Sequence, residues 1–273
     1  MRMSQPLLSV IIGVYCQKHD VSMLMRSIDS ILRQSVSDFE FLICDDGSSN
    51  EVVEYLDRAA DKDDRIVLVR KGNLFTLPQK LNACLAAAKG KYIARMDDDD
   101  FSHHDRFLRQ IEFLEKHPDI SFCGCNVNLI RNGEYIGQRR LPEYPNVEDF
   151  YFVQPYIHPS LIFRREALEA VAGYSEDKYS ILCEDYDILL RLYAGGYKGA
   201  NIQQQLFDYT VSSTAKGSRK MKHRINEAVT RYRRFKQLGK LPKAFIYVIK
   251  PIAVGIIPES VLYRLKQKVL EAK

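Results

Sequence analysis

Clustered carboxylates are the residues of this sequence best placed to do chemistry. Asp45 and Asp46 follow the apolar run FEFLIC, and Asp97, Asp98, Asp99 and Asp100 follow KYIARM. Carboxylates this close raise one another's pKa unless a cation or a donor compensates them. A hard divalent cation with oxygen ligands is the usual compensation, and Mg2+ typically takes one or two carboxylates together with substrate phosphates. Four aspartates alone also read as a solvated loop capping the next helix; two acidic strand ends in one sheet weigh against that. A third acidic pair, Glu184 and Asp185, opens the apolar helix pattern EDYDILLRL, where a carboxylate equally suits the positive end of a helix dipole. His158 in IHPS has a plain alternative as a turn histidine before Pro159, and His103 and His104 read as surface residues of a polar capping stretch. Tyr15, at the end of the first apolar run, is a candidate ring for stacking a nucleotide base.

The elements that must position these residues alternate from the start. LLSVIIGVY is apolar, β-branched and short, as a buried strand is. A bulky Tyr15 before Cys16 argues against reading it as a cleaved leader. Helical periodicity follows over 21–34, then a strand (39–44), a helix (50–60), a strand (65–70), a helix (77–89) with Gly90 in the position favoured after a helix C-terminus, a strand (91–96), a helix (107–117) and a long apolar strand (120–130). This predicts an α/β fold with an open sheet, parallel at least through its first half. In such sheets ligands gather at the carboxyl ends of the strands, where both aspartate groups stand. Beyond, Asn132-Gly133 marks a hairpin turn, 164–172 and 186–193 look helical, 212–219 reads as a loop or linker, and a basic helix spans 225–238.

Composition narrows the classes. With 46% hydrophobic residues, 13 Phe and 16 Tyr, the chain is no disordered polypeptide. There is no G-x-G-x-x-G after a strand, no G-x-x-x-x-G-K-[ST] and no G-x-S-x-G, which argues against a dinucleotide cofactor, a P-loop and a hydrolase elbow. Six cysteines without a C-x-x-C pair read as reduced thiols of a cytoplasmic protein. No run reaches the 18 or more apolar residues of a membrane span; the nearest, 244–258, is interrupted by Lys250 and Pro251. The net charge of +5 hides two unlike parts. Residues 216–273 hold 16 Lys and Arg against 3 Asp and Glu, a net of +13, and the other residues hold 24 against 32, a net of −8. An acidic body argues against a nucleic-acid groove, so no nucleic-acid partner is expected.

The ordered segments SVIIGVY, FEFLICDDGS, LNACLAAAKGKYIARMDDDD, RFLRQIEFLEKHPDI, HPSLIFRREAL and EDYDILLRL resemble the family 2 glycosyltransferases over about residues 8–213. The resemblance implies the glycosyltransferase A fold, a Rossmann-like open mixed sheet flanked by helices, and inverting transfer from a nucleoside-diphosphate sugar, UDP-type by preference, with Mn2+ or Mg2+. It divides the chain into a catalytic domain at 1–215 and a basic, partly apolar helical extension at 216–273. Residue by residue, Tyr15 resembles the aromatic on the donor base and Asp46 the aspartate reading its N–H, with Asp45 beside it. By the same resemblance Asp97 and Asp98 would lie toward ribose and donor sugar, Asp99 would be a metal ligand, and His158 would sit near the diphosphate and the metal. Asp185 matches the general base, Glu184 the acceptor-side acid, and Arg191 a structural partner of these carboxylates.

Two departures stand out. Gly13 and Cys16 replace the Pro and Asn common after the first strand, and Tyr209-Thr210-Val211-Ser212 lacks the Arg and His of a frequent Tyr-Arg-x-His segment. Lys216, Arg219 or Lys220 are the candidates to replace that diphosphate contact. A sugar-nucleotide pyrophosphorylase would carry a Gly-rich basic loop after the first strand, which GVYCQKHDVS is not, and a non-catalytic scaffold would be expected to have lost Asp99 or Asp185. The expected acceptor is a glycan or lipid-linked sugar of a bacterial surface polysaccharide. The basic tail would dock peripherally on the anionic cytoplasmic leaflet of the inner membrane, or else pack on the domain or in a homo-oligomer interface.

Overall fold

A computed structural model of the chain describes residues 5–17, 21–70, 72, 74–211 and 220–256. Strand β1 (Leu8–Val14) is flanked by β2 (Phe39–Asp45) and β4 (Tyr92–Arg95), both parallel to it, and β3 (Ile66–Leu68) extends the parallel set beyond β2. Side chains along a strand alternate between faces, and β1 shows it. Val10, Ile12 and Val14 enter one core with helices α1 (Val21–Leu32), α2 (Asn50–Lys62) and α4 (Arg106–Lys116). Ile11 enters the opposite core with α3 (Leu77–Ala87), α5 (Arg165–Ala170) and α6 (Glu184–Ala194). The result is a three-layer sandwich around an open mixed sheet, the α/β architecture expected from the alternating pattern.

Beyond β4 the sheet mixes antiparallel and parallel pairs. Among the described residues the path runs β3-β2-β1-β4-β8-β6-β9-β5, with β8 (Ile162–Arg164), β6 (Phe122–Arg131), β9 (Gly199–Thr210) and the two-residue edge β5 (Phe101–Ser102). Strand β7 (Glu134–Arg139) folds back on β6 through Asn132 and Gly133, both at positive φ, which is the hairpin chemistry of that dipeptide. Because β2 and β4 lie on opposite sides of β1, the chain reverses direction there and opens a crevice at the carboxyl ends of β1 and β4. Register puts the ends of β1 and β2 level, Val14 pairing with Asp45, while β4 ends earlier, with Arg95 opposite Ile11.

Several local expectations change. Gly90 is not the left-handed C-cap of α3, whose cap is Ala88. A Cβ at Gly90 would stand 2.4 Å from the Ser9 backbone nitrogen, so glycine is needed for the close approach of this segment to β1. Pro251 does not break the apolar segment: α8 (Leu241–Ile256) runs through it, losing one helical hydrogen bond while Ala244, Val248 and Pro251 itself stay buried. The basic helix α7 (Met221–Gln237) packs on α6 and α8. Its Arg234 Nε donates to Asp187 of α6 at 2.7 Å, and its buried Arg231 donates to the carbonyl of Tyr151 at 3.1 Å and pairs with Glu227. Part of the +13 excess is therefore spent on internal pairs. Lys216 and Arg219 lie outside the described residues, as does the expected loop at 212–219.

Candidate functional site

Tyr15 leaves the end of β1 with its ring 63% exposed. Beneath it lies Lys80 of α3, only 4% exposed, its ammonium 5.0 Å from the ring centroid. Lys80 Nζ donates to the carbonyl of Val14 at 2.5 Å and to that of Asp46 at 3.2 Å, tying together the two loops that carry Tyr15 and Asp46. Burial lowers the pKa of this ammonium, and the charge of Asp45 works in the opposite direction. A Cβ on Gly13 would stand 2.9 Å from Leu77 Cδ1 and 3.1 Å from Lys80 Cβ, so the glycine at this position makes room for α3. The carboxylate of Asp46 accepts from the backbone N–H of Leu74, while Asp45 Oδ1 is buried with no hydrogen-bond partner.

The four aspartates after β4 are held from behind by two buried arginines. Arg95 pairs with Asp97, and Arg106 Nη2 donates to the Arg95 carbonyl at 2.8 Å. Thr210, the last residue of β9, clamps the turn: its N–H donates to Asp100 Oδ1 at 2.7 Å and its hydroxyl to the Asp99 carbonyl at 2.6 Å. Burial, then the charge of Asp97, pushes the pKa of Asp98 and of Asp99 up to about 6, and raises Asp100 well above the carboxylate range. Ligand oxygens of Asp97, Asp99 and Asp100 lie within 4.8 Å of one another, and Asp100 Oδ2 is buried without a partner. Converging carboxylate oxygens, costly to ionise and incompletely bonded, fit a hard divalent cation. The sequence reading proposed Asp99 and His158 as ligands; the three-carboxylate group brings in Asp97 and Asp100 and does not include His158.

Glu184 and Asp185 form the first turn of α6, and the Asp185 carboxylate accepts from the Tyr186 N–H at 2.7 Å. Leu182, two residues upstream of Glu184, holds φ at +64°, a left-handed conformation that costs a non-glycine residue about 1–3 kcal/mol. Burial, then the neighbouring Asp185 charge, pushes the pKa of Glu184 up to about 7, and its Oε2 is buried without a partner. One cavity of about 450 Å3 is lined by Asp97, Glu184, Asp185 and His158, and by Arg139 and Tyr209. The sequence separates these carboxylates by almost ninety positions; the fold joins them. Burial, then the charges of Asp100, Asp97 and Asp185, raises the Tyr209 hydroxyl to about 12.

His158 lines the cavity with Nε2 2.8 Å from the Tyr174 hydroxyl, and burial, then Arg95, lowers its pKa well below the usual value, so the ring is neutral. Arg191 serves a different carboxylate from those expected: its Nε donates to Asp187 at 2.8 Å. His103 is no free surface residue, since it pairs with Asp208 at 2.7 Å. Lys80, Arg95, Arg139 and Thr210 escaped sequence reasoning. The first two carried a signal, a charge on the Leu77–Leu81–Cys84 face of a helix and a charge inside an apolar strand. Arg139 and Thr210 carried none.

The chain has known relatives in sequence and in fold. The EpsE protein of Bacillus subtilis (strain 168) is 33% identical over 268 residues, covering 97% of this chain and 95% of that one. An Escherichia coli UDP-Gal:alpha-D-GlcNAc-diphosphoundecaprenol beta-1,3-galactosyltransferase is 26% identical over 273 residues, covering 97% of each. Staphylococcus aureus TarS 1-349 in complex with UDP-GlcNAc superposes with a TM-score of 0.68 at 16% identity over 89% of this chain and 72% of that one. Mannosyltransferase PcManGT from Pyrobaculum calidifontis, in complex with GDP-Man and Mn2+, gives 0.64 at 17% identity over 98% of this chain and 81% of that one. Both share the glycosyltransferase A fold. Residues 9–172, more than half of the chain, match the family described as Glycosyl transferase family 2, and the chain belongs to that family and is a glycosyltransferase.

Proposed function

We propose that this chain transfers a sugar, with inversion, from a UDP-type nucleotide sugar to a hydroxyl of a glycan or lipid-linked acceptor in surface-polysaccharide synthesis, with Asp185 as general base. The observation that carries the reading is the single cavity shared by Asp97 of the aspartate cluster and Asp185 of α6. The Tyr15 ring stacks the base and the Asp46 loop receives its N–H. The buried Lys80 holds both in place. Asp97, Asp99 and Asp100 would hold Mn2+ or Mg2+, which when bound supplies charge neutralisation for the departing diphosphate. Asp185 takes the proton of the acceptor hydroxyl as that oxygen attacks the anomeric carbon opposite the leaving group, which inverts the carbon. Glu184, about half protonated near pH 7, offers the acceptor a hydrogen bond from its carboxyl group. The acceptor class is supported by the diphospholipid-linked substrate named for the Escherichia coli relative.

A thermal-shift panel of UDP, GDP and their sugars, with Mn2+ and with chelator, tests donor and metal together. Stabilisation by uridine nucleotides that requires Mn2+ is the expected result. A response to guanine nucleotides alone would overturn the donor assignment, and metal-independent binding with metal-independent turnover would overturn the metal.

Peripheral attachment to an anionic membrane is supported by the outer face of α8. Phe245, Ile246, Ile249 and Ile256 are exposed there at helical spacing, and the exposed Phe152 and Val153 continue the patch, Phe152 touching Tyr247 of α8. Lys222 and Lys236 of α7 and Lys243 of α8 are exposed. No helix among the described residues is long and apolar enough to cross a membrane. An amphipathic face flanked by lysines binds by apolar burial plus attraction to anionic lipid. Removing α7 would uncover the α6 interface, so surface substitution is the cleaner test. Ile246→Glu with Ile249→Glu is expected to lower sedimentation with anionic vesicles at least about tenfold, each lost apolar contact contributing roughly 1.5–3 kcal/mol at full burial. Unchanged sedimentation would sink the attachment.

A further inference from the structure

Arg139, the last residue of β7, reaches back from the hairpin to the wall of the cavity that holds Asp97 and Asp185. Its side chain is half-buried, yet among the described residues no carboxylate pairs with it. Its hydrogen bond is from Nη2 to the Gln154 carbonyl at 3.0 Å. A guanidinium has five N–H donors in a planar fork, so most of the fork is left for a ligand. The opposite pattern holds for Arg95, the other arginine of the cavity, which is committed to Asp97 and to backbone. Desolvation disfavours the charged form of Arg139, and the Tyr209 hydroxyl acts on it in the opposite direction.

Its anchor is informative. Gln154 follows Phe152 and Val153, which are 64% and 57% exposed, and Val153 itself lines the cavity. Phe152 packs edge-on against Tyr247 of α8 with centroids 4.8 Å apart, and Lys250 Nζ donates to the Phe152 carbonyl at 2.6 Å. An apolar surface therefore runs from α8 to the cavity rim and ends beside an arginine with free donors. Asp185 lines the same cavity as that arginine.

We infer that Arg139 is a phosphate-binding residue for the acceptor: it holds the diphosphate of a lipid-linked sugar whose chain lies along Phe152, Val153 and α8. The inference rests on the proposed lipid-linked acceptor and adds the group that recognises it. Arg suits the task because its fork meets phosphate oxygens in bidentate fashion. The donor also carries a diphosphate, so the test separates the two sources. Binding of decyl diphosphate, of decyl glucoside and of UDP with Mn2+ is measured by calorimetry on the full chain, below micelle-forming concentrations, for the wild type, Arg139→Gln and Arg139→Lys.

Arg139→Gln should weaken decyl diphosphate about 10–100-fold, the range for losing a hydrogen bond to a charged group, and leave decyl glucoside and UDP unchanged. Arg139→Lys should recover part of the loss, since it keeps the charge and not the fork. An equal loss for UDP would move the residue to the donor side and overturn the inference. Equal losses for decyl glucoside and decyl diphosphate would mark a merely structural role, and unchanged diphosphate binding would refute it outright. These are binding measurements, so a failure of the glycosyl-transfer reading, seen as absent turnover, remains distinguishable from a failure of this one.

Discussion

Asp185→Asn is expected to lower kcat by about a hundredfold to ten-thousandfold while leaving donor KM nearly unchanged. That range is typical for the loss of a general base. Asn retains an Oδ1 that accepts from the Tyr186 N–H, so the first turn of α6 keeps its bond and the substitution removes basicity rather than structure. Glu184 provides the control. Burial and the adjacent Asp185 push its pKa up to about 7, so a substantial fraction is already neutral at assay pH, and Glu184→Gln mimics that form. Its effect should be much smaller than that of Asp185→Asn. Steady-state kinetics on both variants decides the matter: a crippled Glu184→Gln beside an active Asp185→Asn would exchange their roles.

Asp99→Asn is expected to do two opposite things. It should abolish stabilisation by Mn2+ and slow turnover by roughly 10²–10⁴, since a Lewis-acid site contributes several kcal/mol to the transition state and each 1.36 kcal/mol is tenfold. In metal-free protein it should raise stability. Asp98 and Asp99 are shifted from 3.8 to about 6 by burial and then by Asp97. A carboxylate whose folded pKa is raised favours the folded state fully below its unfolded pKa, and that contribution is lost as pH rises through the folded value. The metal-free wild type therefore loses stability between about pH 4 and pH 6 through this cluster. At pH 7.5 the variant should gain on the order of 1–3 kcal/mol, at 1.36 kcal/mol per pKa unit. For a chain of this size that is roughly 2–4 °C in Tm per kcal/mol. The gain should vanish near pH 4. Melting curves at both pH values in chelator check the sign; a variant less stable than the wild type at pH 7.5 would refute the account.

Much of the first half of the fold was legible because its signals are local. The apolar runs of β1, β2 and β4 and the periodic stripes of α1, α3 and α4 specify burial on one or both faces, and burial is what the sheet layers provide. The second half was less so. Strand β9 reads GANIQQQLFDYT, with three consecutive glutamines and no alternation. It is a strand because β6 pairs with it along most of its length and β5 pairs with its end, which no local propensity records. The same distance hid Thr210, whose partners Asp99 and Asp100 lie 111 and 110 positions away. Which basic residues of the tail are paired was not legible, because Asp187 and Glu148, which engage Arg234 and Lys240, cannot be matched to them by reading along the chain.

By itself, then, the sequence determined which chemistry was present: carboxylates at strand ends, an aromatic after β1, an acidic pair opening a helix, and the ordered motifs of its family. Those follow from residue type and short-range spacing. Only the tertiary structure decided which carboxylates share a cavity, that Asp97 and Asp100 join Asp99 while His158 turns to Tyr174, and that Lys80 and Arg139 stand at the site at all. Such choices are made where strands distant in sequence meet in register and burial forces each charge to find a partner. Pairing and desolvation across the sheet, not periodicity along the chain, set them.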